Sequence, residues 1–282
     1  MQATRVTDSL TYHGEGAVWS PAWGGLRFVD MLAGDVLTLD PATGRVTRAG
    51  SGSPVAALVR PRRDGGAVIA TERGFTLESA DGSLTALADV WGDAGIRMNE
   101  GGCTPDGALL VGTMAYDHTP GAATVYRLAP DHTVTTVLTG STISNGIAFS
   151  PDGTIMYYVD TLTRRIDRFD YSDGELTYRR AYVEVEGDGY PDGLCVDAEG
   201  GVWVALFGGS AVRRYTADGV AALEIALPVA QVTSCTFGGD DLRTLYITTS
   251  RENLADDEQP EAGSLFSAVP GVVGLPVLEY AG

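Results

Sequence analysis

The stretch SNGIAFSPDGTIMYYVDT, residues 144–161, carries the pattern that decides the fold. Two runs of apolar and aromatic residues flank a Pro-Asp-Gly tripeptide at 151–153, an arrangement that predicts a β-hairpin. Similar segments start at Asn99 and Asp192, and in all three the Asn or Asp stands eight residues before the glycine of the turn. A constant offset indicates equivalent positions on repeated units.

Turns of this kind recur at intervals of about 41 to 47 residues and mark out six units. Each unit contains several short β-rich runs, and none contains a convincing helical stretch. Six units of this period predict an all-β fold, a six-bladed β-propeller. Because no linker or compositional break divides the chain, we expect one domain over residues 1–282. Residues 5–12 are expected to form the outer strand of the last blade along the chain, which would close the ring.

The innermost strand of each propeller blade lines the central channel, so the repeat offset identifies six residues at one mouth of that channel. These are Glu15, Ala57, Asn99, Asn145, Asp192 and Thr233. Four of the six carry the carboxylate or amide oxygens that hard divalent cations prefer, which predicts a metal site in the channel. Asn-Gly and Asp-Gly are also common tight-turn dipeptides, so these residues could instead only shape the chain. Their repetition at equivalent positions favours the metal site.

The charge balance narrows the choice of partners and chemistry. The net charge is −18, and all 19 basic residues are arginine. The lack of lysine excludes Schiff-base catalysis and a phosphate-binding P-loop, and the acidity argues against nucleic acid and anionic membranes as partners. Three cysteines are too few for a disulfide framework, and no signal peptide or membrane-spanning run is visible. We expect a cytoplasmic protein, a monomer or weak homodimer, that acts on a small molecule.

Other catalytic arrangements are poorly supported by the sequence. No Gly-x-Ser-x-Gly motif occurs, and the three histidines, His13, His118 and His132, lack the spacing of a zinc protease. The cysteines lie within predicted strands, where we expect them to be small buried apolar groups.

Six segments, spread from one end of the chain to the other, resemble those of a known family. They are GEGAVW at 14, RMNEGG at 97 with PDGALLVGTM after it, SNGIAFSPDG with YYVDT, PDGLCVDAEGGVWVA at 191, VTSCTFGG at 232 with LYITTS, and GSLFSAVPGVVGLP near the end. The family is the one named for senescence marker protein 30 (SMP-30), gluconolactonase and luciferin-regenerating enzyme (LRE). The resemblance implies a six-bladed propeller with one catalytic divalent cation (calcium, zinc, manganese or magnesium) that opens lactones of sugar acids. It implies Glu15, Asn145 and Asp192 as metal ligands. It also places Arg97 and Asn99 at the substrate.

Three positions depart from the family's usual pattern. Its Asn-Asp-Gly is Asn99-Glu100-Gly101 here, its Glu-Gly-Pro is Glu15-Gly16-Ala17, and its substrate-side Glu corresponds to Asp117. Glu100 and Asp117 are therefore expected at the substrate with side chains of altered length. The change affects which lactone is expected and leaves the expected metal site intact.

Lactone hydrolysis in such a site needs a cation that polarises the ring carbonyl and a base that activates water. Asp192 is the expected general base, and Arg97 would hold substrate hydroxyls or stabilise developing negative charge. The loop at 115–122 would cover the mouth of the channel. Two other functions remain open on this fold: a calcium-dependent phosphotriesterase-like hydrolase, and a non-catalytic binding propeller with a structural cation.

Overall fold

The computed structural model describes residues 1–255 and 257–282, in which 24 strands form six four-stranded sheets. The strands are β1 (Thr4–Arg5), β2 (Gly14–Ser20), β3 (Gly25–Asp30), β4 (Asp35–Leu39), β5 (Val46–Gly50), β6 (Ala56–Pro61), β7 (Ala67–Thr71), β8 (Phe75–Glu78), β9 (Leu84–Ala86), β10 (Ile96–Cys103), β11 (Leu109–Ala115), β12 (Ala123–Leu128), β13 (Val134–Ser141), β14 (Ser144–Phe149), β15 (Ile155–Asp160), β16 (Arg165–Ser172), β17 (Glu175–Glu184), β18 (Tyr190–Val196), β19 (Val202–Phe207), β20 (Ala211–Tyr215), β21 (Ala221–Ala226), β22 (Val232–Gly238), β23 (Thr244–Thr249) and β24 (Phe266–Ala268). Short 3-10 helices span Pro21–Trp23, Met31–Ala33 and Thr161–Thr163. Within the described residues, no helix has the length and apolar character needed to cross a membrane.

The six sheets are the blades of a closed six-bladed β-propeller, which confirms the predicted fold class. Each of the first five blades is an antiparallel meander of four consecutive strands, from β2–β5 to β18–β21. The first strand of each blade contacts the first strands of both neighbouring blades, all around the ring. These six inner strands, β2, β6, β10, β14, β18 and β22, line the central channel.

The turn glycines that mark the repeat have a conformational role. Gly107, Gly153 and Gly200 have φ values of 86°, 71° and 79°, in the left-handed region that favours glycine. Each ends the turn between the inner strand and the second strand of its blade. This conformation explains why glycine recurs at the turn in these three blades.

Each inner strand carries a β-bulge at or next to its channel position. In blade 4, for example, the register with the second strand shifts between Ser144 and Ile147, so that Asn145 lies within the bulge. Register shifts occur at the equivalent place in the other five blades. A bulge bends its strand and re-aims a side chain. Each blade therefore has one bulge that can orient a side chain at the same mouth of the channel.

The sixth blade is built from both ends of the chain, in the strand order β22, β23, β24 and β1. The sequence predicts this outer strand over residues 5–12, but β1 ends at Arg5, so the predicted range is wrong. Beyond Arg5 backbone bonding continues but is irregular, because Val6 N and Thr7 N both donate to Leu265 O. Leu10 N and Thr11 N likewise both donate to Gly263 O. The Thr7 hydroxyl also accepts from Leu265 N, and the Ser9 hydroxyl donates to Ala262 O. That residues 1–282 form a single domain stays a prediction.

Residues 269–282, the C-terminal segment, cross the opposite mouth of the channel. Gly274 N donates to Leu242 O in blade 6, and Tyr280 N donates to Pro61 O in blade 2. The Tyr280 side chain is fully buried, and its hydroxyl donates to Ala129 O in blade 3. The segment therefore closes the face of the ring at which the inner strands end.

Buried apolar side chains hold the blades together, with Trp203 and Tyr158 among the largest that are fully buried. The cysteines lie on inner strands, as the sequence predicts, but their burial differs. Cys103 and Cys235 are buried, whereas Cys195 is partly exposed.

Candidate metal centre at the channel mouth

The structure places Glu15, Asn99, Asn145 and Asp192 at one mouth of the channel, on the inner strands β2, β10, β14 and β18. All four are buried, with 3% to 4% of their surface exposed. Glu15 and Asp192 lie close enough for the charge of Asp192 to raise the pKa of Glu15. Residues far apart in the chain therefore form one buried polar cluster.

Two oxygens of this cluster have no hydrogen-bond partner among the described residues. They are Asn145 Oδ1 and Asp192 Oδ1. The Asn145 amide is held by its Nδ2, which donates to Thr161 Oγ1 at 2.9 Å. An unsatisfied buried polar group costs about 1–3 kcal/mol. A ligand that accepts lone pairs from both oxygens would remove this cost, and a cation is such a ligand.

The glycines after these two residues serve close packing between blades. Neither Gly146 nor Gly193 has a positive φ, so neither dipeptide forms the tight turn considered from the sequence. A Cβ on Gly146 would lie 2.8 Å from Asp192 O, and a Cβ on Gly193 would lie 2.8 Å from Thr233 O. Glycine thus lets each inner strand approach the next, which keeps Asn145 and Asp192 near one another.

The carboxyl groups in the channel repel one another. Burial raises the pKa of Glu15 well above its usual range, and the negative charges of Asp192 and Glu100 raise it further. Burial and the charge of Glu100 also raise the pKa of Asp192 well above its usual range. A divalent cation would compensate these charges, and its binding would displace the protons that the raised pKa values retain.

Arg97 lies beside the cluster, and one nitrogen of its guanidinium, Nη1, makes hydrogen bonds within the protein. Its Nη1 donates to Asn99 Oδ1 at 2.6 Å and to Met98 O at 3.0 Å, and it contacts Met31 Sδ at 3.0 Å. Within residues 1–255 and 257–282, Nε and Nη2 make no hydrogen bond. These two groups can therefore donate to a ligand at the mouth.

Asn99 differs from Asn145 because both ends of its amide are engaged. Its Oδ1 accepts from Arg97, and its Nδ2 donates to Ser144 O in the next blade at 2.9 Å. This arrangement suits a residue that positions Arg97, whereas the unpartnered oxygen of Asn145 suits a metal ligand. A direct contact between Asn99 and substrate stays a prediction.

Glu100 belongs to a buried ion pair. Its Oε1 accepts from Arg60 Nη2 at 2.9 Å and from Gly101 N at 3.1 Å. Burial raises the pKa of Glu100 despite the positive charge of Arg60. Arg60 also donates to Gly16 O at 3.3 Å, which joins blade 2 to blade 1. The pair thus links the strands that carry Glu15 and Asn99 through Arg60. A contact between Glu100 and substrate stays a prediction.

The structure does not bring Asp117 to the buried cluster. Asp117 is exposed on the loop at 115–122, and its Oδ1 accepts from Thr119 Oγ1 at 2.7 Å and from Thr119 N at 3.0 Å. These bonds lower the pKa of Asp117. Its carboxylate therefore shapes the loop, and its contact with substrate stays a prediction.

Tyr116 is the residue of this loop whose ring lies beside Arg97. Its ring centroid is 5.9 Å from Arg97 Cζ, and its hydroxyl donates to Glu72 Oε1 in blade 2 at 2.8 Å. Tyr116 is 44% exposed, so an aromatic surface faces solvent beside the channel. The sequence marks the loop but gives no sign of Glu72, which lies 44 residues away in the chain.

Two further residues contact the cluster and are missed by the sequence analysis. Thr161, which holds the Asn145 amide, directly follows β15 and could have been found from that position. His13 lies with Nε2 at 3.8 Å from Glu15 Oε1 and Nδ1 at 2.8 Å from Ser250 Oγ. Burial lowers the pKa of His13 to about 3, so its imidazole is neutral at physiological pH. No local sequence signal links His13 to Ser250, 237 residues away.

The donors present fit a hard divalent cation. In the part of the chain that the structure describes, no group of three or more His, Cys, Asp and Glu side chains is arranged to hold a metal. A cation at the mouth would therefore depend on the Asn145 amide together with Glu15 and Asp192. All three offer oxygen, which suits calcium, magnesium or manganese and does not select a softer ion.

Known proteins share this architecture. Residues 13–251 match the family described as SMP-30/Gluconolactonase/LRE-like region. Regucalcin from Oryctolagus cuniculus is 38% identical over 284 residues, which cover 95% of each chain. The crystal structure of a calcium-binding protein, regucalcin from Agrobacterium tumefaciens, has a TM-score of 0.92 and 32% identity, over 99% of this chain and 97% of that one. A gluconolactonase from Xanthomonas campestris has a TM-score of 0.76 and 25% identity, over 94% of this chain and 88% of its own.

Proposed function

The chain belongs to the SMP-30/gluconolactonase/LRE-like family, and from that premise we propose that it is a divalent-metal-dependent hydrolase that opens the ring of a sugar-acid lactone. Family membership and the gluconolactonase relative support a lactonase-like activity. One observation carries the proposal for this chain: two unpartnered oxygens lie in a buried channel among carboxyl groups that repel one another.

Glu15, Asn145 and Asp192 would hold the cation. When bound, the cation would polarise the lactone carbonyl and stabilise the negative charge that develops on its oxygen. Thr161 fixes the Asn145 amide, so the oxygen of that ligand is oriented in advance. Glu100, paired with Arg60, adds negative charge next to the two carboxylate ligands.

Asp192 would accept the proton of the attacking water. In the protein without a cation, burial and the charge of Glu100 raise the pKa of Asp192, so that its carboxyl group retains a proton more strongly than usual. Binding of a cation would release that proton. The ionised carboxylate of Asp192 could then accept a proton from water held beside it, which is the task of a general base.

The residues at the mouth would orient the substrate. Nε and Nη2 of Arg97 can donate to hydroxyl groups or to the carbonyl oxygen, while Asn99 holds the other side of the guanidinium. The exposed ring of Tyr116 provides a flat apolar surface beside these donors. A small ring that carries several hydroxyl groups needs both kinds of contact, and sugar-acid lactones have that character.

A panel of aldonolactones tests the proposal. Proton release would be followed with a pH indicator for the untreated protein, for protein treated with a chelator, and after calcium, magnesium, manganese or zinc is added back. We expect turnover that is lost with the chelator and restored by at least one cation. Activity confined to organophosphates would instead support a phosphotriesterase, and turnover that the chelator leaves unchanged would contradict a metal-dependent lactonase.

A calcium-binding role without turnover is the second candidate. It is favoured by the Agrobacterium relative, which is described as a calcium-binding protein. Here calcium would bind with a measurable heat change and raise the melting temperature, while no lactone or organophosphate would be hydrolysed. A cytoplasmic location, a role in carbohydrate metabolism and a monomeric or weakly dimeric state are further proposals for this chain.

A further inference from the structure

A chamber of about 440 Å³ lies in the channel between the candidate metal centre and the C-terminal segment. All six inner strands contribute to its wall, and Leu275 and Leu278 of the C-terminal segment line its far end. None of the three candidate metal ligands is among its lining residues, whereas Arg60 and Glu100 are. All three cysteines of the chain, Cys103, Cys195 and Cys235, are among its lining residues.

Two of these cysteines contact each other across the boundary between blades 5 and 6. Cys195 on β18 and Cys235 on β22 have their Sγ atoms 3.8 Å apart. Cys195 is partly exposed, whereas Cys235 is 2% exposed and its thiol also approaches Trp203 O at 3.8 Å. Among the described residues, Cys103 has no such contact with another thiol. The pair is not used by the chemistry at the channel mouth.

We propose that Cys195 and Cys235 form an oxidative modification site, which a peroxide converts into an intramolecular disulfide. A sulfur–sulfur contact leaves only a short movement before the bond can form, and the partly exposed Cys195 is the sulfur that a small oxidant in the chamber meets first. Cys235 then serves as the resolving thiol. The proposal is independent of the hydrolase activity proposed above.

The reaction balances with hydrogen peroxide as the two-electron oxidant. The Cys195 thiolate attacks a peroxide oxygen, the O–O bond breaks, and a sulfenic acid and hydroxide form. The Cys235 thiolate then attacks the Cys195 sulfur, the S–O bond breaks, and a second hydroxide leaves as the S–S bond forms. The two protons of the thiols convert both hydroxides into water. Burial raises the pKa of Cys195, so its thiolate is scarce at neutral pH and we expect the reaction to be slow.

Peptide mapping of the folded full-length chain tests the site. The protein would be exposed to excess hydrogen peroxide with a chelator present, unfolded, alkylated and digested with trypsin without reduction. Since Arg213 and Arg214 lie between the two cysteines, trypsin places them in the peptides 181–213 and 215–243. We expect these two peptides to be joined, with the mass of two hydrogens missing, and to separate on reduction. The number of free thiols should fall from three to one, with Cys103 still alkylated.

Serine variants assign the bond. Cys195→Ser and Cys235→Ser should each abolish the joined peptides, whereas the matched control Cys103→Ser should form them at the parental rate. In urea, where the contact is lost, the yield of this particular pair should fall and pairs that include Cys103 should appear. The inference is overturned if both peptides remain separate, if Cys195 is converted to a sulfinic acid without a link, or if the links join two chains.

Discussion

Asn145 Oδ1 and Asp192 Oδ1, on neighbouring inner strands, are both buried in the channel and both lack a hydrogen-bond partner among the described residues. Native proteins satisfy most buried polar atoms, and exceptions often mark a place where an ion or water binds. Gly146 permits the close approach of the two strands that carry these oxygens. The two residues therefore form the part of the cluster that responds most directly to a cation.

Asp192→Asn should separate metal binding from proton transfer. The amide keeps an oxygen of similar shape, but it loses one negative charge and the ability to accept the proton of water. We expect weaker cation binding by titration calorimetry and, at saturating cation, turnover that is lower by about a hundredfold or more. Asp81→Asn, in an exposed turn of blade 2, is a control for loss of one acid. Parental affinity and turnover in Asp192→Asn would show that the base lies elsewhere, with Glu100 the next residue to test.

Arg97→Ala should act mainly on substrate binding. The cation ligands and the proposed base remain, whereas the donors Nε and Nη2 are removed. If the arginine binds ground state and transition state equally, KM should rise by about 10-fold to 100-fold, the range for a lost hydrogen bond to a charged group, with kcat little changed. Steady-state kinetics on the best lactone measures both constants. Arg45→Ala, an exposed turn residue, should leave both unchanged; an unaltered KM in Arg97→Ala would exclude Arg97 from the substrate site.

Tyr158 should make the folded protein sensitive to alkali. Its hydroxyl donates to Ser141 Oγ or Ser144 Oγ, and burial raises its pKa to about 12 in the folded chain. In the unfolded chain tyrosine ionises near pH 10. The folded state therefore holds the proton more tightly, and this contribution is fully present below pH 10 and is lost as the pH rises from 10 to 12.

The size of this effect is on the order of 2–3 kcal/mol, since one pKa unit corresponds to about 1.36 kcal/mol. About half of it, roughly 1.4 kcal/mol, should be lost by pH 11, which urea unfolding at pH 8, 10 and 11 would measure. Tyr158→Phe should show a shallower loss of unfolding free energy above pH 10. Tyr178→Phe, at an exposed site, is the matched control and should follow the parent. Identical pH dependence in Tyr158→Phe and the parent would contradict the assignment.

Deletion of residues 1–11 should destabilise the protein because it removes β1 and exposes the edge of β24. Scanning calorimetry should show a melting temperature lower by several degrees. Deletion of residues 1–3 removes the contacts with Glu224 and Ala226 and leaves β1, so its effect should be smaller. A protein without residues 1–11 that melts like the parent would show that β1 does not stabilise the ring.

The architecture could be predicted from the sequence because it depends on local signals. Turn glycines such as Gly153 need a left-handed conformation, and strand runs alternate over short distances, so both leave a pattern within a few residues. The same repeat identifies Asn145 and Asp192 as equivalent positions. The N-terminal strand is shorter than predicted because its bonding to the last blade becomes irregular beyond Arg5, where Leu265 O accepts from both Val6 N and Thr7 N. Propensity alone does not reveal this irregularity.

The details of the site could not be predicted in this way because partners come from different blades. Tyr116 reaches Glu72 across 44 residues, and Arg60 reaches Glu100 across 40. Asn99 and Asn145 look alike in the sequence, yet only one of them has an unpartnered oxygen in the structure. The distinction arises from Arg97, whose contact with Asn99 depends on how β10 bulges.

The seam between the two ends of the chain also sets an order of events during synthesis. Thr4 pairs with Ser267, so β1 has no partner strand until residue 267 has left the ribosome. At about 5–20 residues per second, synthesis from Ala226 to Ala268 takes roughly 2–8 s, so the first five blades can form some seconds before the sixth is complete. During that interval the nascent ring is open at one side. Its closure, which pairs β1 with a strand more than 260 residues further along the chain, is the step at which a chaperone that protects exposed strand edges would have most effect.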